Sequence, residues 1–136
     1  MRIMYISGPY TPRDAGESYF NEYCSREHNI NMARWCAAWC ANNGFGYYCP
    51  HLNSAHMDNI VPDVPYNFWI QMDLVILEKC DALLLLPNWR QSKGAMMEFQ
   101  AAENMCIPMF EFPDETLKLI QWSGEWGKWS GEKSTL

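Results

Sequence analysis

The stretch Asp81-Ala82-Leu83-Leu84-Leu85-Leu86, closed by Pro87, constrains the fold more than any other feature of the chain. It is short for a buried helix and far too short to span a bilayer, yet polar and apolar residues do not alternate along it. A strand of this kind has to be covered on both faces, as a central strand of a parallel sheet is. Arg2 to Ser7 reads as a first strand ended by Gly8-Pro9, Phe45 to Cys49 as a second closed by Pro50, and Ile107 to Phe112 as a fourth. Helices are expected between them. The first runs from about Asn29 to Asn42, where Ile30, Ala33, Ala37 and Ala41 recur at helical spacing and Asn43-Gly44 stops them. The second runs from about Pro65 to Lys79, with Pro65 suited to its first turn, and the third from Ser92 to about Asn104. The order β-α-β-α-β-α-β with right-handed crossovers gives a single α/β domain: an open parallel sheet of four to five strands flanked by helices, flavodoxin-like or Rossmann-like. Residues 8–27 and 51–64 are expected as long polar loops, of the kind that serve as lids or binding segments.

Residues 1–113 are expected to form the α/β unit and residues 114–136 a C-terminal helix, from Glu115 to Gln121, with a tryptophan-rich tail. In that tail Trp122-Ser123-Gly124-Glu125 is nearly repeated as Trp129-Ser130-Gly131-Glu132, and its tryptophans either dock on the body or a neighbouring subunit or stay free. The net charge of −6 argues against a nucleic-acid polymer as partner, because such binding relies on a basic surface that displaces counterions. A small anion needs only a few local donors and is not excluded. No apolar run reaches membrane-spanning length and no signal-type segment follows Met1, so a cytoplasmic protein without a membrane partner is expected. The six cysteines lie in apolar contexts without a CxxC pair. They read as buried thiols rather than a metal site, although Cys36 and Cys40 are one helical turn apart with His28 nearby.

Ligands of open parallel sheets bind beyond the carboxyl ends of the strands. Here those ends are Ser7-Gly8-Pro9-Tyr10, Pro50-His51, Pro87-Asn88 and Phe110-Glu111. The segment Ser92-Lys93-Gly94-Ala95-Met96-Met97-Glu98 carries the most chemistry. Ser92 stands where a helix N-cap stands, and Gly94 lets a ligand approach the free N–H groups of the first turn, an anion site by donors and dipole together. Glu98 follows one turn later, on a face shared with Ala95, Ala101 and Ala102, where an acid would be partly desolvated and its pKa raised. By type and position alone, a solvated helical glutamate is the more frequent outcome. Asp73, in the apolar stretch Ile70, Met72, Leu74, Ile76, Leu77, is a second carboxylate candidate, equally readable as a surface residue. Asp81 reads as a turn or cap residue.

The chain resembles the nucleoside 2-deoxyribosyltransferase superfamily, most closely its small, largely uncharacterised bacterial and phage branch. The resemblance rests on Gly8-Pro9-Tyr10, on Asn29-Ile30 with Ala33, on Pro50-His51 with Asn53, and on Leu86-Pro87 with Trp89, Ser92, Gly94-Ala95 and Glu98, all in order. It implies a flavodoxin-like fold and a covalent mechanism without a cofactor or metal, in which Glu98 attacks C1′ of a nucleoside and expels the base. A second base (transfer) or water (hydrolysis) then resolves the ester. Asp73 matches the carboxylate that assists the leaving base or orients the sugar. Tyr10, preferred over Tyr5 because it lies past the strand end, would orient Glu98. Ser92 matches the serine that binds phosphate in 5′-monophosphate N-glycosidases, where transferases for free nucleosides carry an acid. The resemblance therefore favours a nucleoside 5′-monophosphate as ligand, with Gly8, Pro9, Ser92, Gly94, His51 and Asn53 as binding residues and Arg13, Arg26 and Arg34 as further phosphate ligands. For His51 and Asn53 a local turn is an equal reading. It also implies a homodimer or larger homo-oligomer.

Two other readings stay open. A non-catalytic nucleotide sensor or sequestering protein on the same scaffold would use Glu98 to hold a ribose hydroxyl, and an interaction protein would use the aromatic tail. A flavin protein is disfavoured because no Ser/Thr/Gly-rich phosphate loop follows the first strand.

Overall fold

The computed structural model describes the backbone of residues 1–10 and 19–124, with side chains for 1–10 and 25–124. Arg13, Cys24, Trp126 and Trp129 lie outside the described side chains. Four strands, β1 (Ile3–Ser7), β2 (Gly46–Tyr48), β3 (Ala82–Leu85) and β4 (Met109–Glu111), form one parallel sheet in the order β2-β1-β3-β4. The helices are α1 (Tyr19–Asn42), α2 (Pro50–Asn53), α3 (Met57–Ile60), α4 (Tyr66–Glu78), α5 (Lys93–Asn104) and α6 (Thr116–Ser123). A single 3₁₀ turn, Trp89–Gln91, leads into α5. This is the expected α/β domain, with β1 and β3 at its centre.

The period-two alternation of strands sorts the core into two layers. Met4 and Ile6 of β1, Ala82 and Leu84 of β3 and Phe110 of β4 pack with Ala33, Cys36, Ala37 and Cys40 of α1 and Leu119 and Ile120 of α6. Tyr5 of β1 and Leu83 and Leu85 of β3 pack on the other side with Leu77 of α4 and Ala95 and Ala102 of α5. Truncating any of these buried leucines to alanine would cost about 2–5 kcal/mol. Helix α6 belongs to the first layer: the Trp122 ring lies 5.5 Å from Phe110, with the Arg2 guanidinium 4.4 Å above it.

Several boundaries differ from expectation, each for a physical reason. Helix α1 begins at Tyr19, ten residues before Asn29, so the polar stretch before Asn29 is helical in part. Tertiary contacts tie the helix to the body near this point: Asn29 Nδ2 donates to the Tyr10 carbonyl at 3.2 Å, and Glu27 pairs with His56 at 2.5 Å. The expected loop 51–64 contains the one-turn helices α2 and α3, too short to show periodicity. Asp81 lies just outside β3, where its carboxylate accepts from Ile3 N–H at 2.7 Å and caps the start of β1. Cys36, Cys40, Cys49 and Cys80 are buried as expected, whereas Cys106, in the turn after α5, is exposed. No helix among the described residues is long and apolar enough to cross a membrane.

Candidate active site

The carboxyl ends of β1, β2 and β3 open into one cavity of about 460 Å³. Its floor is set by strand parity. Tyr5 and Ser7 are two residues apart on β1, so both side chains leave the sheet on the α4/α5 side. Helix α5 can come close there because its buried face is small: Ala95, Glu98 and Ala102. The carboxylate of Glu98 thereby reaches β1, where Tyr5 Oη donates to Oε2 and Ser7 Oγ donates to Oε1 at 3.0 Å. Glu98 is 6% exposed. Burial pushes its pKa up to about 7; the Tyr5 hydrogen bond opposes the rise, the nearby Asp73 charge adds to it, and the Ser7 hydrogen bond opposes it.

Helix α4 supplies the second carboxylate. Tyr66, Trp69, Ile70 and Asp73 fall on one helical face and line the cavity. Asp73 is buried, and Tyr48 Oη donates to its Oδ1 at 3.2 Å. Its pKa rises to about 6 through burial, against the Tyr48 hydrogen bond. Tyr48 lies beside Tyr5 in the β1/β2 register, the rings 5.5 Å apart, so two neighbouring tyrosines serve the two carboxylates.

The third wall is the start of α5. Ser92 is its N-cap, with Oγ accepting from Ala95 N–H at 3.2 Å, as the sequence led us to expect. Ser92, Lys93 and Gly94 all line the cavity. The turn before them is braced by Trp89, which stacks on Phe99 at 4.7 Å and donates from Nε1 to Glu111 at 3.0 Å, while Arg90 donates to the same oxygen at 3.1 Å. Glu111 at the end of β4 is thus a brace outside the cavity wall rather than part of the binding rim.

Of the residues singled out in the sequence, Glu98, Asp73, Tyr10, Gly8, Ser92, Gly94 and His51 line this cavity, together with Arg26. Four assignments need correction. Tyr10 does not hold Glu98: its hydroxyl accepts from His56 N–H at 2.8 Å, and Tyr5 holds the carboxylate instead. A residue past the strand end turns toward the rim, whereas strand parity aims Tyr5 at the floor. Pro9 and Asn53 are not in the cavity wall. The Pro9 carbonyl accepts from His51 Nε2 at 2.7 Å, and exposed Asn53 donates to Tyr48 Oη at 3.1 Å, bracing the tyrosine behind Asp73. Arg34 is a surface residue paired with Asn31 at 2.7 Å. His51 is buried, and burial lowers its pKa, so it is a neutral tie between the β1 and β2 ends.

Ser7 and Tyr48 were missed in the sequence; for Ser7 the hydroxyls of Tyr5 and Ser7 at i and i+2 of an otherwise apolar strand were a readable signal, and for Tyr48 there was none. Gly8 is needed for packing: a Cβ there would lie 2.6 Å from Leu86 Cβ. Among the described residues, Arg26 and Lys93 supply the cationic side chains of the wall, against Asp58, Asp73 and Glu98.

A family model described as a domain of unknown function (DUF4406) matches residues 2–111. No curated protein matches the sequence significantly. Among solved structures, a 2-deoxyribosyltransferase from Bacillus psychrosaccharolyticus is similar at 14% identity and a TM-score of 0.47, over 80% of this chain and 70% of that one.

Proposed function

The chain belongs to the family described as a domain of unknown function (DUF4406), and for this member we propose cleavage or transfer at the N-glycosidic bond of a nucleoside 5′-monophosphate, with Glu98 as nucleophile. The observation that carries the reading is the state of Glu98: buried on the cavity wall, oriented by Tyr5 and Ser7, and without a cationic partner among the described residues. A carboxylate with a pKa near 7 is available as a nucleophile at neutral pH and more basic than a solvated one.

In the first step one Glu98 oxygen attacks C1′ of the sugar. The C1′–N bond breaks, its electron pair leaves with the base, and protonated Asp73 gives the base a proton. The product is a glycosyl ester on Glu98. In the second step water, or the N–H of another base, attacks C1′; the ester C1′–O bond breaks back to the Glu98 carboxylate, and Asp73 takes the proton. A raised pKa at Asp73 suits this exchange, because the group is near its midpoint at slightly acidic pH. The monophosphate suits the start of α5, where Ser92 keeps its own hydroxyl proton to donate and the helix N-terminus attracts an anion.

One observation favours the sensor reading. Both oxygens of Glu98 already hold hydroxyls, a geometry that would also accept a ribose hydroxyl. Chromatography of a panel of ribo- and deoxyribonucleoside 5′-monophosphates, with and without an acceptor base, separates the two. Free base formed by the native protein and not by Glu98→Ala supports the enzyme. Nucleotide binding with no base release assigns the protein to the sensor class.

A further inference from the structure

Tyr66 opens α4 and stands on the cavity wall opposite the start of α5. The polar side chains around it are largely committed. Tyr5 and Ser7 are bound to Glu98, Tyr48 to Asp73, and Ser54 to the Pro50 carbonyl. The Tyr66 hydroxyl has no hydrogen-bond partner among the described residues. The residue as a whole is exposed, but it contributes to the cavity wall, and its hydroxyl lies over Gly94.

The hydroxyl stands over a glycine. A side chain on Gly94 would begin 3.1 Å from Tyr66 Oη and 4.0 Å from Ser92 Oγ. Two hydroxyls therefore converge over one point of the first turn of α5, and the absence of a Cβ leaves that point open. Both can donate a proton, since Ser92 Oγ only accepts from Ala95. A group that accepts from both at once needs several lone pairs on closely spaced oxygens. A phosphate offers both donors several charged oxygens, whereas a sugar hydroxyl offers the lone pairs of one neutral oxygen and a weaker bond to each. Three acids, Asp58, Asp73 and Glu98, line the same cavity, so an anion is admitted only where donors are concentrated, and Lys93 adds its charge to that wall.

We propose that Tyr66 is a specificity-determining residue whose hydroxyl donates to the 5′-phosphate of the ligand alongside Ser92, so that the cavity selects nucleoside monophosphates over free nucleosides. The assignment rests on the nucleotide reading above and adds the residue that reads the phosphate. Phenylalanine at this position keeps the ring and removes only the donor.

The test is calorimetric titration of Glu98→Ala, which blocks turnover, and of the double variant Glu98→Ala/Tyr66→Phe. The probes are the common ribo- and deoxyribonucleoside 5′-monophosphates and the matching nucleosides. A lost hydrogen bond to a charged group is expected to weaken monophosphate binding roughly tenfold or more, with nucleoside affinity changed by less than about twofold. Equal losses for both ligands, no loss for the monophosphate, or no monophosphate binding to Glu98→Ala would each overturn the assignment. Base release by the native protein is read separately. A phosphate-selective loss on Tyr66→Phe with no base release keeps the phosphate contact and rejects the glycosidase.

Discussion

Tyr5 and Glu98, 93 residues apart in sequence, meet through a buried hydrogen bond from the tyrosine hydroxyl to the carboxylate. The central strand and the helix after β3 are tied together at the cavity floor by this contact. It also favours the ionised form of a group that burial pushes toward neutrality.

Tyr5→Phe should therefore raise the pKa of Glu98 above its native value of about 7. Base release at pH 7 should fall by roughly ten- to a hundredfold, and the optimum of the pH profile should move up. A pH–rate profile checks this. An activity loss with no displacement of the profile would mean that Tyr5 acts only in packing.

The native profile should be bell-shaped. Asp73 at about 6 and Glu98 at about 7 are coupled, so the working form is the pair carrying one proton, most populated between those values. Asp73→Asn should remove the alkaline limb. The acid limb should stay close to its place, because Asp73 is protonated and uncharged in the form from which Glu98 ionises there. Steady-state rates from about pH 5 to 9 decide the matter.

Stability should follow the same groups. Glu98 has an ordinary value of 4.5 and a folded value of about 7, so between these pH values the folded protein holds a proton that the unfolded chain has lost. Its contribution is fully present below pH 4.5 and disappears as pH rises through about 7. Urea unfolding at pH 5 and pH 8 should show Glu98→Gln losing less stability than the native protein over that range, by about 2 kcal/mol. Parallel losses in the two proteins would place the pH dependence elsewhere.

Gly8→Ala should destabilise the fold by about 1–3 kcal/mol, because its Cβ would overlap Leu86 where β1 and β3 run together. Thermal unfolding measures the loss, and a Leu86→Gly partner substitution, which removes the overlapping Cβ, should make the two changes non-additive.

Much of this architecture was legible in the residues. The apolar run Leu83–Leu86 required a doubly covered strand, and Ser92 marked the start of α5. Gly8-Pro9-Tyr10, Pro50-His51 and Ser92 to Glu98 pointed to one rim, and most of them meet there. What stayed hidden depends on direction and register. Tyr10 was favoured over Tyr5 because loops line sites, yet alternation along β1 aims Tyr5 and Ser7 at Glu98. Tyr48 was invisible because its link to Asp73 depends on β2 lying beside β1 with Tyr5 opposite Tyr48. Asn53 read as a ligand contact since nothing in its own segment shows the tyrosine it braces. The early start of α1 escaped the reading because a contact such as Glu27 with His56 joins segments far apart in sequence.

The most direct test of Glu98 as nucleophile is mass spectrometry of acid-quenched protein after brief incubation with the monophosphate that releases base. The expected result is a glycosyl phosphate adduct mapping to the peptide that contains Glu98, absent from Glu98→Ala. Base release that proceeds at the native rate in Glu98→Ala, with no adduct on that peptide, would contradict it.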